Sequence, residues 1–546
     1  MKAFICRIID RLRRRAQFGR VTRLLRGYRV LQSNQDPEFI RSIRVDIQKQ
    51  HLSIPKDSLS DYIFGAIRHD REIVVRQYAV SRLAMHPLFA QIVSSLAANG
   101  RRTVYCLPKE WRSVLAMHGL TVAEFPSRIR WIGFILVSWT RGVAQILALC
   151  VASLPRSQAR APIPRKHIHL VGLTEQNLPK TVNSEGSTCD IVSWVADGID
   201  GGQKPQAVSH ALGRNHISSL GDTQIVADYQ LFSPLGNVAK DVQFLMWGAM
   251  ASLRSAVDMM RGRWWHALML AEAAKYKQTQ LQEDENLADE YWFHNSGTRY
   301  RPMWTYDCDY RNINVIMYFY STNMEGYKKR NGSYPVPPLG WHMMTWPQYY
   351  VWDDHQKRFL ERIGPKNPSI KVVGPIPFSD IDEPLSRLPR PIIGVFDIQP
   401  VRASIFSGLG LEDQFYRPAF SIRFLGEIQK ACQNVGVPML FKSKRDIGKS
   451  VHPAYKSNID REISADKSVH LIKSDISAHR IIPNCSCVVS APYTSTALIA
   501  KALGIPTCYF DPTGSLMDDD AGAHGVEIIL STEGLENWLS AHHRSG

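Results

Sequence analysis

Cysteine is thinly used: nine are scattered over 546 residues, and none falls into a metal-type spacing. Only Cys485 and Cys487 stand close together, and two thiols alone do not make a zinc site. The pattern excludes a structural zinc and implies a reducing compartment. Acids are also in short supply, 50 Asp and Glu against 66 Lys and Arg, for a net charge of +16. The excess is concentrated. Residues 1–30 carry ten basic residues against the single acid Asp10, over half of the surplus. No nucleic-acid recognition motif accompanies it, so nucleic acid is excluded as a partner. A clean transmembrane run is missing as well. The most apolar window, Trp131 to Leu154, is broken by Arg141 and Gln145, and a central Arg costs ~2.5–3.5 kcal/mol even on the lenient insertion scale. Basic residues flank both ends (Arg128, Arg130; Arg156, Arg160), so no orientation is specified. The window reads as a monotopic or re-entrant helix pair, or else as a buried core helix.

The leader, Met1 to Arg29, combines its Arg run with Phe4, Ile5, Ile8, Ile9 and Leu12 at helical spacing. Such a basic amphipathic helix suits an anionic lipid surface. The interruption from Arg11 to Arg15 excludes a secretory signal. Leader and window together predict attachment to the cytoplasmic face of the membrane.

The length calls for two or three domains. Apolar content of 44% with 21% charged residues is that of a folded chain. Residues 1–160 read as a helical, membrane-associating region. Residues 161–378 alternate strands and helices, with strands at His167, Cys189–Val195, Gln224–Tyr229, Val315–Phe319, Gln348–Trp352 and Ile370–Val373. Ser379 to Pro391 is a linker rich in proline and charge. A second alternating unit, 392–546, opens with the strand Ile392–Phe396. The expected fold class is α/β: two Rossmann-like, doubly wound domains facing a cleft.

The stretch Cys487–Asp511 reads as strand, loop, helix and strand, with Thr494, Ser495 and Thr496 where the helix begins. A helix N-terminus offers unpaired N–H groups and partial positive charge, which suits a phosphate. One hydroxyl satisfies a cap; three exceed that need. Lys442-Ser443-Lys444-Arg445 ends another strand of this half, and His452-Pro453 follows. Strand ends of a parallel sheet open on one crevice, so these cations should face the hydroxyl loop. Lys442, Lys444, His452, Thr494, Ser495 and Thr496 are therefore the donor-phosphate candidates.

Pro492-Tyr493-Thr494-Ser495, followed by a helix and then GIPTCYFDPTG, resembles the signature of the PFTS-motif polysaccharide biosynthesis proteins, with Tyr493 in place of the Phe. HNSGTRYRPMWTYD, YFYSTN, YYVWDDHQ…VVGPI and FDIQPVR are further matches. The similarity covers roughly residues 165–540. It extends more loosely to GT-B sialyltransferases and Kdo transferases. The resemblance implies a GT-B glycosyltransferase of surface polysaccharide assembly that needs no metal or other cofactor. Its donor would be a nucleotide sugar, a nonulosonic acid carried on cytidine monophosphate (CMP), and its acceptor a glycan or lipid-linked glycan. His452 would contact the cytidine phosphate, with Ser495 and Thr496 completing the cradle. Asp397, Arg402, Asn323 and Tyr493 are further cleft candidates.

The acidic motif that precedes a glycine in the sialyltransferases has only partial matches, Glu185-Gly186 and Glu325-Gly326. A base would come from the first half, where Glu175, Glu325, Asp353 and His294 sit at or near strand ends. Trp292, Tyr300, Trp304 and Tyr306 could stack on sugar faces, although core packing is the commoner fate of such rings. Two other functions fit the same pattern, a CDP-glycerol-type phosphotransferase and a non-catalytic scaffold of the assembly machinery.

Overall fold

A computed structural model describes residues 38–543, except 97–101, 154–165, 180–188, 228–234, 296–299, 323–326, 335–340, 365–367, 401–413 and some isolated positions. The leader and the candidates Asn323, Glu325 and Arg402 lie outside the described residues.

Short apolar runs between helices form two sheets. The first contains β1 (His167–Leu170), β2 (Ala207–His210), β3 (Ser219–Leu220), β4 (Thr223–Ala227), β5 (Glu290–His294), β6 (Asn314–Tyr318), β7 (Gln348–Val351) and β8 (Ser369–Val372). Their order is β3-β4-β2-β1-β5-β6-β7-β8, parallel except for the β3–β4 pair. The second contains β9 (Ile393–Phe396), β10 (Met439–Lys442), β11 (Val469–Ile472), β12 (Cys487–Ser490), β13 (Thr507–Phe510) and β14 (Glu527–Ile529). Its order, β11-β10-β9-β12-β13-β14, is parallel throughout. Strands such as β9 and β12 are buried along their whole length, as expected when helices cover both faces. In each sheet the chain winds outward one way and then the other. The reversal falls between β1 and β5 in the first and between β9 and β12 in the second, where such sheets open a crevice.

Four helices matter in the first domain: α1 (Glu38–Lys49), α2 (Glu124–Ser153), α3 (Val238–Met260) and α4 (Trp265–Leu281). Gly262, at φ 83°, breaks the run between α3 and α4, a backbone angle that glycine takes without strain. A fifth, α5 (Asp354–Ile363), follows β7. In the second domain α6 (Pro418–Val435), α7 (Pro453–Asn458), α8 (Ser495–Ala502) and α9 (Thr532–His542) flank the sheet.

Loops at the carboxyl ends of the two sheets meet. Tyr327, after β6, stacks on Tyr493, after β12, with ring centroids 4.7 Å apart. Asp353, after β7, pairs with His524 at 2.7 Å. One hydrophobic core runs through this junction, joining Trp292 and Tyr350 of the first sheet to Leu440 and Val488 of the second. The segment 373–392, between β8 and β9, crosses between them, and its described residues are in neither helix nor strand. Two doubly wound domains joined in this way make a GT-B arrangement.

Two expectations need correction. Residues 189–195 are not a strand: Asp190 caps a helix, Ile191–Ala196, by accepting bonds from Ser193 N (2.9 Å) and Ser193 Oγ (2.8 Å). Side-chain capping there overrides the β-branched propensity. The helices before residue 160 do not pack as a separate unit. Ile43, Trp111 and Ile135 share one core with Phe293 and Met317 of the first sheet. Trp292, Trp304 and Tyr306 are nearly fully buried, and the Tyr300 hydroxyl is bonded to Glu272 at 2.6 Å. These rings take the commoner fate expected of them, core packing, rather than forming a sugar platform.

Candidate functional site

Strand pairing assembles the second domain's crevice. β9 pairs with β10 and β12, which places Lys442, Phe396 and Ser490 in one row. Beyond that row the three chains turn, and backbone bonds hold the turns together. Ala491 N donates to Phe396 O (2.8 Å), and His452 N donates to Pro400 O (3.0 Å). The segments 397–400, 442–446, 452 and 491–496 therefore converge where strand order reverses.

Asp397 lies at the bottom of this cluster, buried rather than facing the cleft. Its carboxylate accepts from Lys444 N (3.1 Å) and from the Tyr455 hydroxyl. Burial pushes its pKa up, while those bonds and the charges of Lys444 and Lys442 pull it back. Asp397 thus ties the β10 loop to α7. Gln399 adds two bonds from Nε2, to Arg445 O (3.0 Å) and Asp446 O (3.2 Å). Lys442 is partly buried beside them. Burial lowers its pKa to about 8, against the opposing pull of Asp397, Asp475 and Asp380. Its ammonium makes no hydrogen bond or ion pair among the described residues, whereas the Lys444 side chain is exposed.

His452 caps α7. Its Nδ1 accepts from Ala454 N at 3.2 Å, which fixes the neutral ring's proton on Nε2 and leaves that atom as a donor. Proline at the first helical position suits such a start, since its missing N–H is one that no helix uses.

The hydroxyl loop divides its labour. Thr494, the residue before α8, does not cap the helix with its side chain. Its hydroxyl donates to Ala491 O (2.8 Å) and lies 3.2 Å from Thr496 Oγ1, which is 2.9 Å from Ser490 Oγ. Tyr509 donates to Thr494 O at 3.1 Å. Thr494 and Thr496 therefore brace the turn. Ser495 differs: its half-buried hydroxyl has no partner among the described residues. No protein acceptor there pairs with the backbone N–H of Ser495 or Thr496 either. Three donors are thus left open at the positive end of α8.

Tyr493 forms the wall toward the first domain. It sits at φ 56°, a strained angle for a non-glycine residue. Its hydroxyl donates to Asp520, which also accepts from Lys328 N at 2.8 Å. Ala521 N donates to the Tyr334 hydroxyl at 2.7 Å. The loop after β6 is thereby fastened beside the hydroxyl turn.

The described first-domain candidates sit at the ends of three different strands, β1, β5 and β7. Asp353 caps α5 through Gln356 N (2.8 Å) and gives its other oxygen to His524. Burial raises its pKa, but the bond and charge of His524, the Gln356 N–H and the charge of His355 together outweigh that and leave it below the usual carboxylate value. His294 ends β5 with Nε2 3.0 Å from Gly172 O, so its proton is on Nε2. Its Nδ1 is buried without a partner, and burial holds the ring neutral. Phe378 from the crossing segment covers it, centroids 5.1 Å apart. Glu175 is exposed in the turn after β1.

Sequence reasoning missed Tyr455, Ser490, Asp520 and His524. The spacing of His452-Pro453-Ala454-Tyr455 could have pointed to Tyr455, since it puts the ring in the first turn of the same helix. The others become neighbours only through the fold.

A family model described as polysaccharide biosynthesis PFTS motif protein matches residues 247–539, more than half of the chain. No curated protein matches it. Solved structures give distant likenesses. Sucrose-phosphate synthase from Thermosynechococcus elongatus is 9% identical with a TM-score of 0.33, over 70% of this chain and 93% of that one. UDP-GlcNAc 2-epimerase from Methanocaldococcus jannaschii, in complex with UDP-GlcNAc and UDP, is 11% identical with a TM-score of 0.27, over 51% and 75%. TarM is 9% identical with a TM-score of 0.27, over 49% and 50%. These likenesses are too remote to carry weight beside the sheets themselves.

Proposed function

This chain belongs to the family of polysaccharide biosynthesis PFTS motif proteins, and we propose that it is a glycosyltransferase that takes its sugar from a CMP-linked donor held in the second domain. The donor's acid sugar would be of the nonulosonic class, and the acceptor a glycan or lipid-linked glycan presented at the cytoplasmic membrane surface. One observation carries the reading: three open donors, Ser495 Oγ and the N–H groups of Ser495 and Thr496, stand at the switch point of the second sheet. His452 Nε2 and the Lys442 ammonium belong to the same crevice.

In this reading the phosphate sits on the α8 terminus, and Lys442 and His452 offset its charge. As the bond to the sugar breaks, negative charge grows on the phosphate oxygen. Donors already in place then bind it more tightly than they bound the intact donor. The acceptor hydroxyl gives up its proton to a base of the first domain, drawn from Glu175, Glu325, Asp353 and His294. Asp353 is the least available, because both its oxygens are engaged. Lys444, Asp397 and Tyr493 line or brace the cleft, and no metal is assigned a part.

The test is a donor screen against extracts of surface glycan, with mass analysis of the product. A sugar added without phosphorus supports the reading; a phosphodiester product identifies a phosphotransferase instead. In parallel, Ser495→Ala with His452→Ala should abolish CMP binding while the melting temperature without ligand is kept. Unchanged CMP binding in that variant contradicts the assignment.

A further inference from the structure

The largest unexplained feature is an apolar surface remote from the cleft. Helices α2 and α3 lie side by side and antiparallel. Trp131 meets Trp264 edge to face at 5.2 Å, Trp139 Nε1 donates to Ser252 O at 3.1 Å, and Ile146 packs on Gly248. A Cβ on Gly248 would fall 2.4 Å from Ile146, and one on Gly142 would fall 2.6 Å from Leu270 of α4. Small residues thus let the pair sit close to each other and to the domain. The inward stripe is buried; the outward stripe is not. Ile132, Leu136 and Leu147 on α2, and Met246, Met250 and Leu253 on α3, are each at least 40% exposed. Only 17% of the apolar window of α2 is buried. Soluble monomers rarely leave so much contiguous apolar surface uncovered.

Two exposed arginines lie in mid-helix: Arg254, over the Tyr62 ring at 4.9 Å, and Arg141, whose charge reaches Tyr78. Three more exposed arginines gather at one end: Arg128 and Arg130 near the start of α2, and Arg261 just past the end of α3.

We propose that the outward face of the α2–α3 pair is a docking surface for an anionic lipid bilayer, lying in its interface rather than crossing it. Spanning is excluded by the packing. Both helices dock lengthwise on α4, whose Leu268 and Leu270 belong to the domain core. A segment surrounded by lipid could not do so. Apolar side chains enter the acyl boundary, and Arg128, Arg130 and Arg261 meet the phosphates. This inference rests on the membrane-surface part of the proposed function and adds α3, which composition alone marks as an ordinary helix.

The full chain is floated with vesicles of phosphatidylcholine and 30% phosphatidylglycerol, and its CMP-induced melting shift is measured in parallel. The expected result is that Leu136→Glu/Leu147→Glu/Met246→Glu/Leu253→Glu lowers partitioning on the order of 100-fold and leaves the CMP shift intact. Wild-type partitioning by that variant overturns the proposal. So does failure of the wild-type chain to float, or a wild-type dimer in solution that these substitutions make monomeric. Hydrogen exchange on the wild-type chain keeps the test open should the variant misfold. Vesicles should protect 124–153 and 238–260, and no protection overturns the proposal. A missing CMP shift with intact flotation removes the donor assignment alone.

Discussion

The two sheets reverse strand order in the same way, yet their switch points are opposites. Between β1 and β5 the crevice is filled. His294 is bonded to Gly172, held neutral by burial, and covered by Phe378 of the crossing segment, which stacks on Tyr320 at 4.2 Å. Between β9 and β12 the polar groups are braced from below by Asp397, Thr494 and Thr496, while Ser495, two N–H groups, Lys442 and His452 Nε2 are left to be satisfied. A topological switch point therefore provides a place for a ligand but not the chemistry to hold one. In the second domain that chemistry comes from a helix terminus, an ammonium and an imidazole N–H.

Four substitutions can break or sharpen this contrast. Lys442→Met should cost the largest effect, about 10–100-fold in CMP affinity by titration calorimetry, the worth of one charge-assisted bond. Because burial lowers the Lys442 pKa to about 8, the ammonium is charged below that value and lost above it. Wild-type affinity should accordingly fall as pH rises from 7 to 9, and the Met variant should not show that slope. Tyr455→Phe removes the hydroxyl that Asp397 needs. It should lower folding stability by about 1–3 kcal/mol in denaturant titrations, because a buried carboxylate is left short of a donor. A smaller loss, about 1 kcal/mol, is expected for Asp353→Asn, whose wild-type carboxylate is 29% exposed. The Asp353 pKa is depressed in the folded protein. Its contribution is therefore present above the usual carboxylate value and lost as pH falls through the lower folded value. The Asn variant should lack that part of the acid-side slope in melting temperature. Least affected should be His294→Phe, with CMP affinity within about twofold of wild type, since the filled crevice takes no part in donor binding.

Much of the second domain could be read from sequence because its signals are local. The strand expected at Ile392–Phe396 forms as β9, and the strand, loop, helix and strand expected in Cys487–Asp511 form as β12, α8 and β13; short apolar runs between turns define the strands, and a run of helix formers stopped by Gly504 defines the helix. The first domain was harder. β5 lies inside an aromatic run, YWFH, where Trp and Tyr packing hides the strand signal, and β2 is only four residues, AVSH. At the site, chain order announced Thr494, Ser495, Thr496 and His452 but not their separate duties. Bracing of Thr494 and Thr496 depends on Ser490 and Ala491 closing the turn. The Asp353–His524 bridge joins residues 171 positions apart, which no local pattern encodes.

The most direct measurement is the melting temperature of the full chain against rising CMP, CDP, UDP and GDP. A ligand that binds only the folded state at 100 times its dissociation constant adds about 2.7 kcal/mol of stability. CMP should raise the melting temperature saturably and more than UDP or GDP, and Ser495→Ala/His452→Ala should flatten that response. If no nucleotide shifts the wild-type chain, the crevice between β9 and β12 is not a donor site and the account fails.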